Sequence, residues 1–181
     1  MLRNLFILLF SAFMIGSEAK AETEAPDFQL RDIYKKEVSL SDYKGKVVLV
    51  NFWATWCQPC LVELPHLQEI YTELKDKDFV VLSISVDAPR DVSKVKPLVK
   101  TRGLEFPVLL DSSSSVLSVY NPSQALPYNV LIDQEGKVVW TKEAYAPGEE
   151  AIIKEKILEL LSVEQAETTP STESGTTPAP E

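Results

Sequence analysis

The stretch V-V-L-V-N-F-W-A-T-W-C-Q-P-C-L-V-E-L-P-H-L, residues 47 to 67, decides how the rest of the chain is read. Val47 to Phe52 is dominated by β-branched, aliphatic and aromatic side chains over the length of one buried strand. Ala54 to Trp56 make a short turn into a helix whose first turn carries Cys57 and Cys60, the only two cysteines in 181 residues. A disulfide across so short a loop restricts the unfolded chain by roughly 2 kcal/mol, against about 5 for a loop of about 100 residues. Stability is therefore a poor reason for the pair, and reactivity a better one.

At a helix start the unpaired backbone N–H groups and the positive end of the macrodipole favour an anion, so the Cys57 thiol is expected to ionise more readily than a free cysteine. The thiolate is the attacking species. Cys60, three residues on and turned inward, is placed to displace Cys57 from a mixed disulfide. Pro59 has no N–H to lose and its fixed φ suits a first helical turn. Further along, Cys60, Leu64, Leu67, Tyr71 and Leu74 recur at spacings of four and three, one buried stripe. Glu63 lies at the edge of that stripe, so its carboxyl is expected under the helix start, where burial beside a cysteine raises a carboxyl toward the range useful for proton transfer. Pro65 is expected to kink the helix.

Working outward, 45% hydrophobic residues support one domain with a full core. Residues 1–21, with Arg3, an apolar run from Leu5 to Ile15 and Ala19-Lys20-Ala21, read as an export signal; the run is short for a membrane span, so a retained anchor is the lesser reading. The whole chain has a net charge of −9; without residues 1–21 it keeps 16 basic and 26 acidic residues, a net of −10, which argues against nucleic acid or an anionic membrane surface as partner. Outside the cytosol a lone vicinal cysteine pair is more plausibly catalytic than structural.

Ala25 to Leu30 and Val38 to Leu40 read as an N-terminal β-hairpin ahead of the main sheet. Phe79 to Val86 is a second apolar strand, and strand, helix, strand with short links implies a parallel crossover. Val92 to Thr101 reads as an irregular helix, Val108 to Leu110 as a strand, and Asp111 with Ser112 to Ser115 as the cap of a helix reaching Tyr120. Asn129 to Asp133 and Lys137 to Thr141 flank a hairpin turn at Gln134-Glu135-Gly136. Glu149 to Leu161, with Ile152, Ile153, Ile157, Leu160 and Leu161 on one side, is the closing helix. The domain thus spans about residues 25–162, and residues 163–181, acidic and rich in Thr and Pro, read as a disordered tail.

A-P-D-F-Q-L at 25–30, V-S-L-S-D-Y-K-G-K-V-V-L-V-N-F-W-A-T-W-C-Q-P-C at 38–60, Glu63, and L-P-Y-N-V-L-I-D-Q-E-G-K-V-V at 126–139 together resemble the TlpA/ResA-like branch of thioredoxin-fold proteins, within the redoxin or AhpC-TSA superfamily. The resemblance covers about residues 25–161. It implies an α/β thioredoxin-like fold, a central mixed sheet flanked by helices, with an insertion from about Asp87 to Tyr120. It further implies an exported or membrane-tethered thiol-disulfide oxidoreductase, usually a reductant, with many members of the branch serving cytochrome c maturation. Carried over by position, Cys57 is the nucleophile, Cys60 the resolving thiol and Pro127 a cis-proline. Glu63 takes the proton-handling role, because Asn51 stands where thioredoxin keeps a buried aspartate. The implied client-binding residues are Trp56, Leu126, Pro127 and Tyr128. The implied partners are client proteins with disulfides and an upstream thiol-disulfide electron donor in the membrane, and the redox pair needs no separate cofactor. Tyr128 departs from the usual Thr, and Asn121-Pro122-Ser123-Gln124 from the usual glycine-containing approach to the proline.

Other readings are weaker. A zinc site needs about four ligands, and the only histidine, His66, lies on the solvent side of the helix, so no metal is expected. Trp53 and Trp56 read as packing residues flanking the thiols. A peroxiredoxin-like peroxidase shares the fold but places Thr or Ser three residues before its reactive cysteine, where this chain has Ala54. A non-enzymatic thioredoxin-fold binding protein is the third alternative.

Overall fold

The computed structural model describes residues 23–167, with side chains for 23–162; the expected export signal and residues 168–181 lie outside the described residues. One eight-stranded sheet organises the chain. Its strands are β1 (Thr23–Glu24), β2 (Gln29–Asp32), β3 (Glu37–Ser39), β4 (Val47–Trp53), β5 (Phe79–Ser85), β6 (Val108–Leu110), β7 (Tyr128–Ile132) and β8 (Lys137–Glu143), in the order β1-β8-β7-β4-β5-β6-β2-β3. The helices are α1 (Gln58–Leu74), α2 (Val95–Thr101), α3 (Ser115–Tyr120) and α4 (Glu150–Glu167).

Strand β4 lies in the middle of the sheet, pairing parallel with β5, across the α1 crossover, and antiparallel with β7. All residues of β4, β5 and β7 are buried, as expected where helices cover both faces of a sheet. Helices α1 and α4 pack on each other and on β5 and β4 respectively, and Lys154 Nζ on α4 meets Glu73 on α1 at 2.6 Å.

Several elements fall otherwise than expected. The hairpin β2–β3 is not ahead of the sheet but part of it, because β2 pairs with β6 and carries β3 to the edge. Strand β1 has two residues, too few for any periodicity, and is held by pairing with β8. In α1 the inward face takes Ile70, which is 5% exposed, while Tyr71 is only partly buried and sets its ring edge-on to Phe106. In α4, Ile153, Ile157 and Leu161 point into the core at one-turn spacing, but Ile152 is 46% exposed. The α4 backbone also continues past position 163, where the tail was expected to begin, through Glu164, Gln165, Ala166 and Glu167, which are strong helix formers.

The Asp111 cap is present. Its carboxylate accepts from the backbone N–H groups of Ser115, Val116 and Leu117, each at 3.0 Å, satisfying the first donors of α3.

Candidate active site

Where β4 ends, Val86 N–H donates to Trp53 O at 2.9 Å and Cys57 N–H to Ala54 O at 3.1 Å, so the turn into α1 is braced by main chain on both sides. Cys57 is itself the N-cap of α1, and its Sγ accepts from Cys60 N–H at 3.3 Å. The two sulfurs are bonded, with Cα atoms 5.3 Å apart. Cys60 is fully buried, whereas Cys57 keeps 6% exposure. A sulfur at this N-cap accepts the Cys60 N–H and lies at the positive end of the dipole of a 17-residue helix, the setting that stabilises a thiolate.

One turn along α1 from Cys60, Glu63 belongs to a closed ring of buried polar side chains. Glu63, 1% exposed, accepts from Asn51 Nδ2 at 3.0 Å and from Asn129 Nδ2 at 2.6 Å, while Asn51 Nδ2 also donates to Asn129 Oδ1 at 2.9 Å. Asn51 and Asn129 are directly opposed in the β4–β7 ladder. Burial pushes the Glu63 carboxyl up from 4.5 to about 7, against the opposing pull of the Asn129 and Asn51 amides; Glu149 adds in the same direction as burial. At neutral pH the group therefore stands poised between acid and base.

The cysteine turn is tied down from elsewhere in the chain. Asp87, fully buried just after β5, accepts from Thr55 N–H at 2.9 Å, Thr55 Oγ1 at 2.6 Å and Ser85 Oγ at 2.8 Å. Pro65 leaves the carbonyl four residues back, that of Leu61, without a helical donor. The Arg102 guanidinium supplies one at 2.5 Å, and α1 runs unbroken through the proline.

The peptide bond between Leu126 and Pro127 is cis, and Pro127 and Tyr128 are buried at the start of β7. Tyr128 sets its ring 6.3 Å from that of Phe52 on β4. Trp53 is fully buried as expected, but Trp56 is 63% exposed. It sits in the turn rather than on the strand, so no neighbouring layer reaches it. His66 is half-buried, stacks on Tyr145 with ring centroids 6.3 Å apart and meets Glu69 at 3.6 Å.

Residues 21–141 match the AhpC/TSA family. The chain belongs to the AhpC/TSA family. Within that family it is 39% identical to the thiol-disulfide oxidoreductase ResA of Bacillus subtilis (strain 168) over 132 residues, 72% of each chain. It is 38% identical to the ResA of Bacillus anthracis over 132 residues, 72% of this chain and 75% of that one. Among solved structures it resembles a putative thiol:disulfide interchange protein DsbE from Chlorobium tepidum, with a TM-score of 0.72 and 30% identity over 77% of this chain and 96% of that one. A putative protein disulfide isomerase from Bacteroides thetaiotaomicron follows at 0.69 and 31%, over 81% and 92%. This AhpC/TSA protein is a thiol-disulfide oxidoreductase of the ResA/DsbE type with a Cys57–Cys60 pair, on the thioredoxin-like fold read from its sequence.

Cys57 caps α1, and Cys60 and Glu63 lie one turn apart within it, both buried. Asn129, Asp87 and Arg102 were not foreseen as part of this surrounding. Each reaches the motif across 78, 32 or 41 residues of sequence. One signal was available for Asn129, a polar residue within an apolar run that opens a central strand.

Proposed function

We propose that this protein is an extracytoplasmic dithiol reductant of client protein disulfides. In its reduced form the Cys57 thiolate attacks a client disulfide, a mixed disulfide forms between Cys57 and one client sulfur, and the other client sulfur leaves with two electrons from the bond. Cys60, deprotonated by Glu63, then attacks Cys57 Sγ, closing the Cys57–Cys60 bond and releasing the reduced client. The observation that carries this reading is the asymmetry of the pair, a sulfur-bearing N-cap residue with residual exposure beside a fully buried partner.

Trp56, exposed beside Cys57, and the Leu126-Pro127-Tyr128 strand entry form the client-contacting surface in this reading, with the extended backbone before Pro127 offered to a client segment. The pair is re-reduced by a thiol-disulfide donor in the membrane, and cytochrome c maturation is the process such a reductant serves. Export by residues 1–21 places the protein where client disulfides persist.

Reduction of insulin with dithiothreitol as electron source tests the activity: wild type is expected to accelerate it, and turnover no faster than that of Cys57→Ser refutes the reading. The equilibrium potential of the pair against glutathione decides direction, a value near roughly −270 mV marking a reductant and one near −120 mV an oxidant. Peroxide consumption faster than thiol transfer would instead return the peroxidase reading, against which Ala54 counts.

A further inference from the structure

The ring of Asn51, Glu63 and Asn129 is wired for one charge state. Each carboxyl oxygen of Glu63 receives one amide N–H, at 3.0 Å from Asn51 and 2.6 Å from Asn129. Asn51 directs Nδ2 at both ring neighbours and leaves its own Oδ1 buried without a partner. An orphaned acceptor costs free energy, yet the opposite orientation of that amide sets oxygen against a carboxylate oxygen and against Asn129 Oδ1. Both amide hydrogen bonds pull the proton affinity of Glu63 down against the upward push of burial. The wiring therefore fits the anion. Because Asn51 and Asn129 face each other in the β4–β7 ladder, their separation is fixed by the sheet.

We propose that Asn51 and Asn129 are positioning residues of the redox site: their amides clamp the Glu63 side chain in one rotamer on the Cys60 face of α1 and hold it as a carboxylate, ready to take the Cys60 proton. This rests on the reading of Glu63 as the base of the resolving step. There, Cys60 Sγ–H gives its proton to a Glu63 oxygen, the thiolate attacks Cys57 Sγ, and the Cys57–Cys60 bond forms as the bond to the client sulfur breaks. The client sulfur leaves as a thiolate carrying the electron pair of that bond, and the proton stays on Glu63 until it passes to solvent.

Other ionisable groups bear on Glu63 from the segment joining β8 to α4. Glu149 raises its proton affinity, and the carboxylate of Glu149 is itself held by Lys142 of β8 at 2.7 Å. Tyr145 interacts with Glu63, donates to Glu150 at 2.6 Å and lies under the His66 ring of α1. On α1 itself Cys60 precedes Glu63 by one turn, and neither it nor Cys57 titrates while the two are bonded. The oxidised protein therefore removes thiol titration from the Glu63 profile, and the other groups are common to wild type and variants.

The test is a carbon-13 NMR titration of the Glu63 carboxyl in the oxidised, full-length protein, for wild type, Asn51→Ala and Asn129→Ala, alongside the pH profile of insulin reduction. Loss of either amide is expected to move the carboxyl midpoint up by about one pH unit, leaving roughly a fifth as many ionised molecules at pH 7. The activity profile moves the same way, and that movement vanishes in a Glu63→Gln background, which a merely structural role would not produce. Should Asn129→Ala not fold, Asn129→Ser keeps a hydroxyl donor and gives a smaller upward shift. An unchanged carboxyl midpoint in folded variants overturns the proposal, as does an activity shift that persists with Glu63→Gln. Failure of Glu63→Gln to alter the wild-type profile removes Glu63 as base, while the carboxyl midpoints still judge the amides.

Discussion

Replacing Glu63 by Gln should flatten the pH dependence of folding stability. The carboxyl sits at about 7 in the folded protein against 4.5 when exposed, chiefly because burial penalises its charge. A folded value above the unfolded one means that the native state binds the proton more tightly, so the associated stability is fully present below about pH 4.5 and is lost as pH rises through about 7. At 1.36 kcal/mol per unit the loss is about 3 kcal/mol. With 1% exposure, solvent screening does little to reduce it. The Glu63→Gln variant has no charge to bury there. The difference in unfolding free energy, variant minus wild type, should therefore rise by about 3 kcal/mol between about pH 4.5 and 8. Urea unfolding of both oxidised proteins across that range measures it. Parallel stability curves would refute the reasoning, since they require Glu63 to titrate alike in folded and unfolded chains.

Arg102→Ala should cost about 1 kcal/mol by exposing the unpaired Leu61 carbonyl, and the cost should shrink in a Pro65→Ala background, where residue 65 regains its helical N–H; equal costs in both backgrounds, read by denaturant melts, would sink the account. Asp87→Ala strands donors of Thr55 and Ser85 in a buried place and should lower stability by about 3 kcal/mol, with faster hydrogen exchange at the Thr55 amide; protection equal to wild type would contradict it. Trp56→Ala, at a 63% exposed side chain, should change stability by less than about 0.5 kcal/mol while raising the KM for a protein client. A change in melting with unaltered KM would return Trp56 to packing.

The parts of this protein legible in the chain are those encoded within a few residues. Cys57 and Cys60 announce themselves by spacing and by being the only cysteines, and Glu63 by its place one turn on from Cys60. The runs at 47–53 and 79–85 are apolar throughout because both faces are covered. What the chain hides is pairing over distance. Nothing near Asn129 reports that residue 51 stands opposite it, and nothing near Arg102 reports a carbonyl orphaned at Leu61. Trp56 misleads because an aromatic beside a buried strand reads as core, whereas one residue position in a turn puts it in solvent. Ile152 misleads similarly, since one residue of a helix is 100° of rotation and the inward arc at the start of α4 belongs to Ile153. The hairpin was visible but its attachment was not, because β6, which joins it to the sheet, is only three residues long.

Asp87 and Arg102 both lie in the inserted segment that resemblance placed at about residues 87–120, and they grip the motif from opposite ends, one at Thr55, two residues before Cys57, the other at Leu61, one residue after Cys60. Insert and redox loop are thus a single mechanical unit. A chimera that transplants the cysteine motif into another thioredoxin-like scaffold must carry this clasp with it, or accept a loosened turn and a proline-broken helix at the point where the sulfurs are presented.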